Sequence, residues 1–324
     1  MSNTDQRPKT ETEDRSIDPL SIDEVDTLTS RIVKNVEQVI VGQHQAIEDI
    51  VHTLLAGGHL LLEDVPGVGK TMLARSIATS LKCTFNRVQF TPDLLPPDVT
   101  GVNVYDQQAN TFEFREGPVF SNILLCDEIN RAPPKTQAAL LEVMEEEQVT
   151  IDGSTYDIPD PFMVIATQNN IEPTQTYSLP VAEVDRFTKQ IQLGYPSKSE
   201  ETELLGRVAG DHPIQSLTPV ATVDELRQAQ ACVSQATIAE PIRSYISRLA
   251  AYTRENAQLG VSPRGAIALL NLTQARAASL GRGYVTPDDI QSEIPTVWQH
   301  RIQTEADRDA STVIEQALST VPVE

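Results

Sequence analysis

The chain has 324 residues, which suits one domain of about 200 residues followed by a smaller one. No stretch approaches the roughly 20 apolar residues that span a bilayer, and the polar start lacks a signal-peptide core, so we expect no membrane insertion and a cytoplasmic location. Asp and Glu total 46 against 25 Lys and Arg, and this net charge of −21 repels nucleic-acid phosphates.

The acidic balance has a second explanation, which is adaptation to a high-salt cytoplasm. Under that explanation the net charge is weaker evidence against DNA binding, because salt-adapted DNA-binding proteins can also be acidic. The three cysteines show no metal-ligand spacing, and we interpret them as buried or inert thiols.

In chain order, the polar residues 1–17 predict a disordered tail, and apolar residues at a three-to-four spacing then predict a helix over 20–39. A second helix is predicted over 45–56. Strands and helices alternate from there, with strands over 60–63, 87–90, 123–126 and 162–166 and helices over 70–80 and 134–147. This alternation predicts a parallel sheet with helices on both faces.

Two hairpins interrupt the alternation. One has strands over 102–105 and 111–115, and the other has strands over 150–151 and 154–156 around the strong turn signal Asp152-Gly153. Beyond Pro196 the pattern is all-helical, so we predict three segments: a tail (1–17), an α/β nucleotide-binding domain (18–196) and an α-helical domain (197–324).

The segment Asp64-Val65-Pro66-Gly67-Val68-Gly69-Lys70-Thr71 lies between a predicted strand and a predicted helix. It resembles the phosphate loop GxxxxGK[ST], in which backbone N–H groups wrap phosphates, the lysine bridges the last two phosphates and the hydroxyl holds Mg²⁺. Asp64 stands where that pattern has its first glycine. The alternative interpretation is a plain strand–turn–helix with a surface lysine.

The buried strand over 123–126 runs into Asp127-Glu128, at the sheet edge where ligands bind in open α/β folds. Asp127 is the candidate magnesium ligand, and Glu128 is the candidate base for the attacking water. The alternative is an acidic pair that caps a helix, and the phosphate loop upstream favours the catalytic interpretation.

Three further polar residues stay ambiguous by their chemistry. Asn169 follows the strand over 162–166 and fits either a turn or a γ-phosphate contact. Arg186 lies near a helix end and Arg264 lies in the first turn of a helix, and each is compatible with a surface salt bridge or with an anion.

Taken together, these segments closely resemble the MoxR-type ATPases of the AAA+ superfamily over about residues 33–298, most specifically in Asp127-Glu128-Ile129-Asn130-Arg131-Ala132-Pro133-Pro134-Lys135-Thr136-Gln137. The resemblance implies a P-loop three-layer α/β/α fold with an all-α lid, ATP and Mg²⁺ as cofactors, and assembly into a homo-oligomeric, hexameric ring. The sequence departs from the family at Asn170, where a proline is usual, and in the loop that follows.

The resemblance also implies residue roles. Asn169 would be sensor 1, Arg186 the arginine finger that reaches the neighbouring subunit's ATP, and Arg264 sensor 2, which contacts ATP from its own lid. Both hairpins would face the ring pore. Thr71 and Asp127 would hold the metal, and the nucleotide would be bound by Val41, Gly42, Pro66, Gly67, Val68, Gly69, Lys70, Thr71 and Met72.

The functional expectation is an ATPase that remodels a protein client, or inserts a metal or cofactor into it, together with a von Willebrand factor A domain partner. A nucleic-acid motor or clamp-loader-like ATPase on the same fold is the alternative, and the acidic charge weighs against it. A GTPase is disfavoured, because the chain has no Asn-Lys-x-Asp run to recognise guanine.

Overall fold

The structure, a computed structural model, describes residues 17–63, 67–168, 177–208, 213–305 and 309–323. At its centre lies a five-stranded parallel sheet in the order β2-β5-β8-β1-β9. The described residues contain nine strands, which are β1 (Leu60–Glu63), β2 (Phe85–Gln89), β3 (Gly101–Asp106), β4 (Thr111–Glu116), β5 (Ile123–Asp127), β6 (Gln148–Ile151), β7 (Ser154–Asp157), β8 (Met163–Gln168) and β9 (Lys189–Ile191). Nearly all of the predicted tail lies outside the described residues.

The helices agree closely with the predicted pattern, and the predicted helix over 70–80 has the observed bounds. They are α1 (Ile22–Val36), α2 (His44–Leu55), α3 (Lys70–Ser80), α4 (Pro96–Thr100), α5 (Pro134–Glu146), α6 (Val181–Val184), α7 (Lys198–Val208), α8 (Val223–Val233), α9 (Glu240–Asn256), α10 (Pro263–Ser279), α11 (Pro287–Trp298) and α12 (Ala310–Thr320). No helix among the described residues is long and apolar enough to cross a bilayer.

Helices cover both faces of the sheet, as the alternation predicted. Alternate residues of each strand point to opposite faces. On β1, Leu60 and Leu62 pack into a core with α1, α2 and α3, whereas Leu61 packs into a second core with α5. This confirms the three-layer α/β/α fold.

Both predicted hairpins are present, and they touch each other. The first pairs β3 with β4, and the second pairs β6 with β7. Asp152 and Gly153 turn the second hairpin with φ of 50° and 83°, which suits a tight two-residue turn. The Phe114 ring stacks on Tyr156 with ring centroids 4.0 Å apart, and Asn103 donates a hydrogen bond to Asp152 at 2.7 Å.

The C-terminal helices confirm an all-α lid. Helices α9, α10, α11 and α12 enclose their own core around the buried Trp298. Helices α8 and α10 also pack against α1 and α2, so the lid shares apolar contacts with the N-terminal part of the chain. The boundary near Pro196 stays a prediction.

A buried ion cluster ties the lid to the edge strand β9. The Lys189 ammonium lies 2.6 Å from an Asp49 carboxylate oxygen and 2.5 Å from one of Glu293. His52 Nδ1 lies 3.3 Å from Glu293. Burial is the largest single influence and would raise the pKa of Glu293, but the charges and hydrogen bonds of Lys189 and His52 together outweigh it and lower the pKa to about 2. Although Asp49, His52 and Glu293 are spaced like metal ligands, the Lys189 ammonium already lies against the carboxylates of Asp49 and Glu293.

Replacing Lys189 with Met is expected to lower the free energy of unfolding by about 3–5 kcal/mol, because two carboxylates would be left buried without their counter-charge. Urea unfolding monitored by circular dichroism measures this. Lys34→Met, at an exposed lysine of α1, is the control and should change little. Equal stabilities for both variants would mean that the cluster does not hold the lid.

Candidate nucleotide site

The described part of the phosphate loop has the backbone that its glycines predict. Gly67 and Gly69 have φ of 91° and 94°, the left-handed region that favours glycine, and Gly69 is the residue from which α3 starts. An added Cβ would meet no atom within 4 Å at either position. These glycines therefore serve conformation rather than close packing.

Lys70, Thr71 and Met72 form the first turn of α3, and no side chain caps this helix end. The first backbone N–H groups of a helix lack partners within it and carry partial positive charge. This turn can therefore receive an anion. Asp64 and Pro66 lie outside the described residues.

An apolar cavity of about 320 Å³ lies beside this turn. Its wall is formed by the segment Val39–Val41, by Gly67–Gly69 with Met72, and by Leu204 of α7. The structure therefore brings the predicted residue Val41 to the phosphate loop. Gly42 adjoins this wall, has φ of 73° and faces Glu200. The size and apolar lining suit a flat heteroaromatic ring.

The acidic pair ends β5 at the carboxyl edge of the sheet, where β1 also ends. Asp127 is buried and receives the Arg87 guanidinium at 2.6 Å and, at 3.4 Å, the Thr167 hydroxyl. A cationic group on this carboxylate shows that the position accepts positive charge. Asp127 and Thr71 offer the hard oxygen ligands that Mg²⁺ prefers, so the residues fit the predicted metal.

Glu128 sits in a strained turn directly after β5, with φ of 56°. Its carboxylate accepts hydrogen bonds from Gln89 and Arg131, both at 2.7 Å, and its N–H donates to Thr167 at 2.9 Å. A non-glycine residue in this backbone region costs about 1–3 kcal/mol, and such strain is common at functional sites. Glu128 is held in one orientation at the sheet edge.

Sequence reasoning missed the side chains that hold the acidic pair. Arg87 and Gln89 come from β2, which pairs with β5, and they reach Asp127 and Glu128. Arg131 reaches Glu128 from three residues further along the chain. Only the adjacency of β2 and β5 could have revealed the first two, and strand order cannot be read from spacing.

Asn169 lies outside the described residues, so its role stays a prediction. It directly follows Gln168, the last residue of β8. Strand β8 lies between β1 and β5, so that its end faces the space between the phosphate loop and the acidic pair.

The two predicted arginines are brought together, at the other end of the strands. Arg186 lies 3.3 Å from Glu145, and Arg264 pairs with the same carboxylate. Both line a cavity of about 240 Å³ with His59, which directly precedes β1. The phosphate loop follows β1, so at least the length of that strand, about 10 Å, separates the two sites.

This arrangement does not place Arg264 beside the phosphate loop of its own subunit, and its expected role as sensor 2 stays a prediction. The lid helix α10 carries Arg264 to the amino edge of the sheet, beside Arg186. The apolar cavity at the phosphate loop is lined by residues of α7, and Arg264 is not among its lining residues.

Asp185 connects the segment of Arg186 to the lid. Its carboxylate accepts hydrogen bonds from Arg301 Nε and from Ser262 Oγ, both at 2.8 Å. Ser262 caps α10, the helix that carries Arg264 in its first turn. Arg301 is 3% exposed and also donates to the carbonyl oxygens of Phe187 at 2.5 Å and Thr188 at 3.1 Å. Asp185 thus links the segment that carries Arg186 to the start of the helix that carries Arg264.

The cysteines fit the expectation of inert thiols. Burial raises the pKa of Cys83 to about 12, and burial together with the charge of Asp127 raises the pKa of Cys126 well above its ordinary value. Neither thiol ionises near neutral pH.

Comparison with known proteins agrees with this architecture. Residues 59–189 match the ATPase family associated with various cellular activities (AAA), and residues 249–319 match the AAA lid domain. The crystal structure of a protein from Cytophaga hutchinsonii, named as a candidate ATPase, superposes with a TM-score of 0.88 at 36% identity, covering 94% of this chain and 97% of that one. The fold and site thus define an AAA-type ATPase.

Two relatives narrow the class. The chain is 41% identical to Chaperone MoxR1 of Mycobacterium tuberculosis, over 92% of this chain and 82% of that protein. It is 45% identical to the YeaC protein of Bacillus subtilis, over 91% of this chain and 95% of that protein. The chain belongs to the MoxR-type AAA+ ATPases.

Proposed function

We propose that the protein is a Mg²⁺-dependent ATP hydrolase whose active site is completed by a neighbouring copy of the chain. One observation carries this proposal: the phosphate loop and the arginines Arg186 and Arg264 lie at opposite edges of one sheet. They cannot serve the same bound nucleotide. In a ring of like-oriented copies, the amino edge of one sheet can face the carboxyl edge of the next.

Each residue has a role in this scheme. Lys70 and the N–H groups that start α3 bind the phosphates, and the adenine occupies the apolar cavity beside Val41. Thr71 and Asp127 would hold Mg²⁺, which would supply positive charge to the phosphate oxygens. Glu128 accepts a proton from the attacking water, and Asn169 orients that water or the γ-phosphate.

Arg186 and Arg264 contribute positive charge to the ATP of the neighbouring copy, where negative charge develops during phosphoryl transfer. Arg264 therefore acts on the nucleotide of the neighbouring subunit and not on the nucleotide of its own chain. Hydrolysis then depends on assembly of the subunits. We propose a hexameric ring, which is the assembly that the resemblance to the MoxR-type ATPases implies.

The resulting conformational cycle would remodel a protein client, with a von Willebrand factor A domain protein as partner. Chaperone MoxR1, a relative of this chain, is named as a chaperone. The two hairpins, joined through Phe114 and Tyr156, are suited to transmit motion as one unit. The net charge of −21 makes nucleic acid the less favoured client.

Lys70→Ala is expected to abolish measurable ATP binding, because the ammonium that bridges the last two phosphates is lost. Isothermal titration calorimetry with Mg·ATP and a non-hydrolysable analogue measures this. Lys82→Ala, at an exposed lysine beyond the end of α3, is the matched control. ATP binding that survives in Lys70→Ala would rule out the phosphate loop as the nucleotide site.

A further inference from the structure

One buried amide contacts the turn that follows Glu128. Gln137, near the start of α5, is 1% exposed. Its Nε2 donates hydrogen bonds to the backbone carbonyl oxygens of Ile129 at 3.0 Å, Ala132 at 3.2 Å and Tyr177 at 3.4 Å. Three acceptors can face only the NH₂ end of the side chain, so these contacts also fix the orientation of the amide.

The turn after Glu128 needs such a donor. Ile129 and Ala132 are 0% exposed, and a buried carbonyl oxygen that loses its donor costs about 1–3 kcal/mol. Glu128 itself has a φ of 56°, a strained backbone conformation that persists only where the surrounding contacts hold it. Gln137 provides two of those contacts from a helix that lies outside the turn.

The third carbonyl oxygen belongs to a different part of the chain. Tyr177 is the first described residue after β8, and Asn169 lies between them in the sequence. The N–H of Tyr177 donates to the carbonyl oxygen of Asn130 at 2.7 Å, and its own carbonyl oxygen accepts from Gln137. Both backbone groups of Tyr177 are therefore bonded either to the turn after β5 or to the side chain that holds this turn.

We propose that Gln137 is a positioning residue for ATP hydrolysis, which holds the turn of Glu128 and the segment that follows Asn169 in one fixed arrangement. The inference rests on the proposed function, in which Glu128 accepts a proton from the attacking water and Asn169 orients that water or the γ-phosphate. Both residues must be placed correctly around one water, and a misplacement of about 1 Å can cost about 10²-fold in rate. Gln137 acts only through the backbone of these two segments.

The test removes the amide donor and keeps the interior filled. Gln137→Met, an unbranched side chain of similar length, is expected to lower kcat by about 10–100-fold. The dissociation constant of Mg·ATP should stay near the wild-type value, because the phosphate loop is unchanged. Gln137→Asn, whose amide is one methylene shorter and cannot span all three carbonyl oxygens, should show a smaller loss of kcat. It decides the question if Gln137→Met does not fold.

Gln274→Met is the matched control. Gln274 is 7% exposed and donates to two backbone carbonyl oxygens at the end of α8, those of Ser234 at 3.4 Å and Ala236 at 2.8 Å. Its replacement should lower the melting temperature, because these two carbonyl oxygens lose their donor. The kcat of the folded Gln274→Met protein should equal that of wild type, since these contacts lie within the lid.

A positioning role also predicts that the effect depends on Glu128. In Glu128→Gln the base is already lost, so adding Gln137→Met should lower the residual rate by less than about threefold, because residues that act together are not additive. A wild-type kcat in both folded Gln137 variants, an equal loss in Gln274→Met, or a full loss in the Glu128→Gln background overturns the inference alone. Wild-type protein that does not hydrolyse ATP overturns both the inference and the proposed function.

Discussion

Arg186→Ala should lower the ATP hydrolysis rate of the assembled protein by about 10³–10⁵-fold, the range for an arginine finger supplied in trans. The affinity of each chain for ATP should stay near the wild-type value, because Arg186 lies at the opposite edge of the sheet from its own phosphate loop. Steady-state hydrolysis and equilibrium nucleotide binding measure the two effects separately. Arg243→Ala, which removes an exposed arginine paired with Glu240 on α9, is the control.

Mixing variants shows where the arginines act. Lys70→Ala chains lack nucleotide but keep both arginines, whereas Arg186→Ala chains keep their phosphate loop. Each is inactive alone, and the mixture should regain hydrolysis at interfaces where an intact loop meets an intact Arg186. Arg264→Ala should behave in the same way. If the mixture of Arg264→Ala and Lys70→Ala chains does not regain hydrolysis, Arg264 acts on the nucleotide bound to its own chain.

Glu128→Gln should reduce kcat by about 10²–10⁴-fold, the usual contribution of a general base. Gln retains an oxygen for the hydrogen bonds from Gln89 and Arg131, so the loop after β5 keeps its shape and ATP stays bound. Single-turnover hydrolysis and ATP titration separate these quantities. Glu315→Gln, at an exposed residue of α12, should hydrolyse ATP like wild type. A normal kcat for Glu128→Gln would remove Glu128 from the chemical step.

The same variant tests the proposed client. ATP-loaded Glu128→Gln should accumulate in the client-bound state, and its co-purifying proteins can be identified by mass spectrometry. The nucleic-acid alternative makes the opposite prediction, which is strong stimulation of wild-type hydrolysis by DNA at physiological salt. That stimulation would overturn the protein-client proposal.

The central fold was predictable where local pattern and tertiary context agree. Strand β1 and helix α3 have their predicted bounds, since a buried apolar run, two glycines and a lysine define that turn without help from the rest of the chain. Edge strand β9 was not predicted. It is three residues long and begins with Lys189, whose burial depends on Asp49 and Glu293, far away in sequence.

The site residues were likewise predictable only where the local sequence pattern decides their position. Asp127 and Glu128 end a buried strand, so their place at the carboxyl edge could be inferred from sequence. The side of the molecule on which Arg264 lies could not, because contacts between distant segments decide it. Ser262 and Arg301 converge on Asp185, and this convergence carries α10 to the amino edge of the sheet.

In the proposed ring, the hydrogen bonds of Asp185 would couple the orientation of the lid to the nucleotide bound by the neighbouring subunit. There, binding of Arg186 and Arg264 to phosphates of the next subunit would also favour one orientation of the lid, because Ser262 and Arg301 both donate hydrogen bonds to Asp185. Thermodynamic linkage makes this coupling reciprocal for binding. If a ligand that favours one lid orientation changes the ATP affinity of the neighbouring subunit by some factor, ATP bound there changes the affinity for that ligand by the same factor. In the proposed ring, a client that shifts the lid of one subunit would therefore change the ATP affinity of the adjacent subunit.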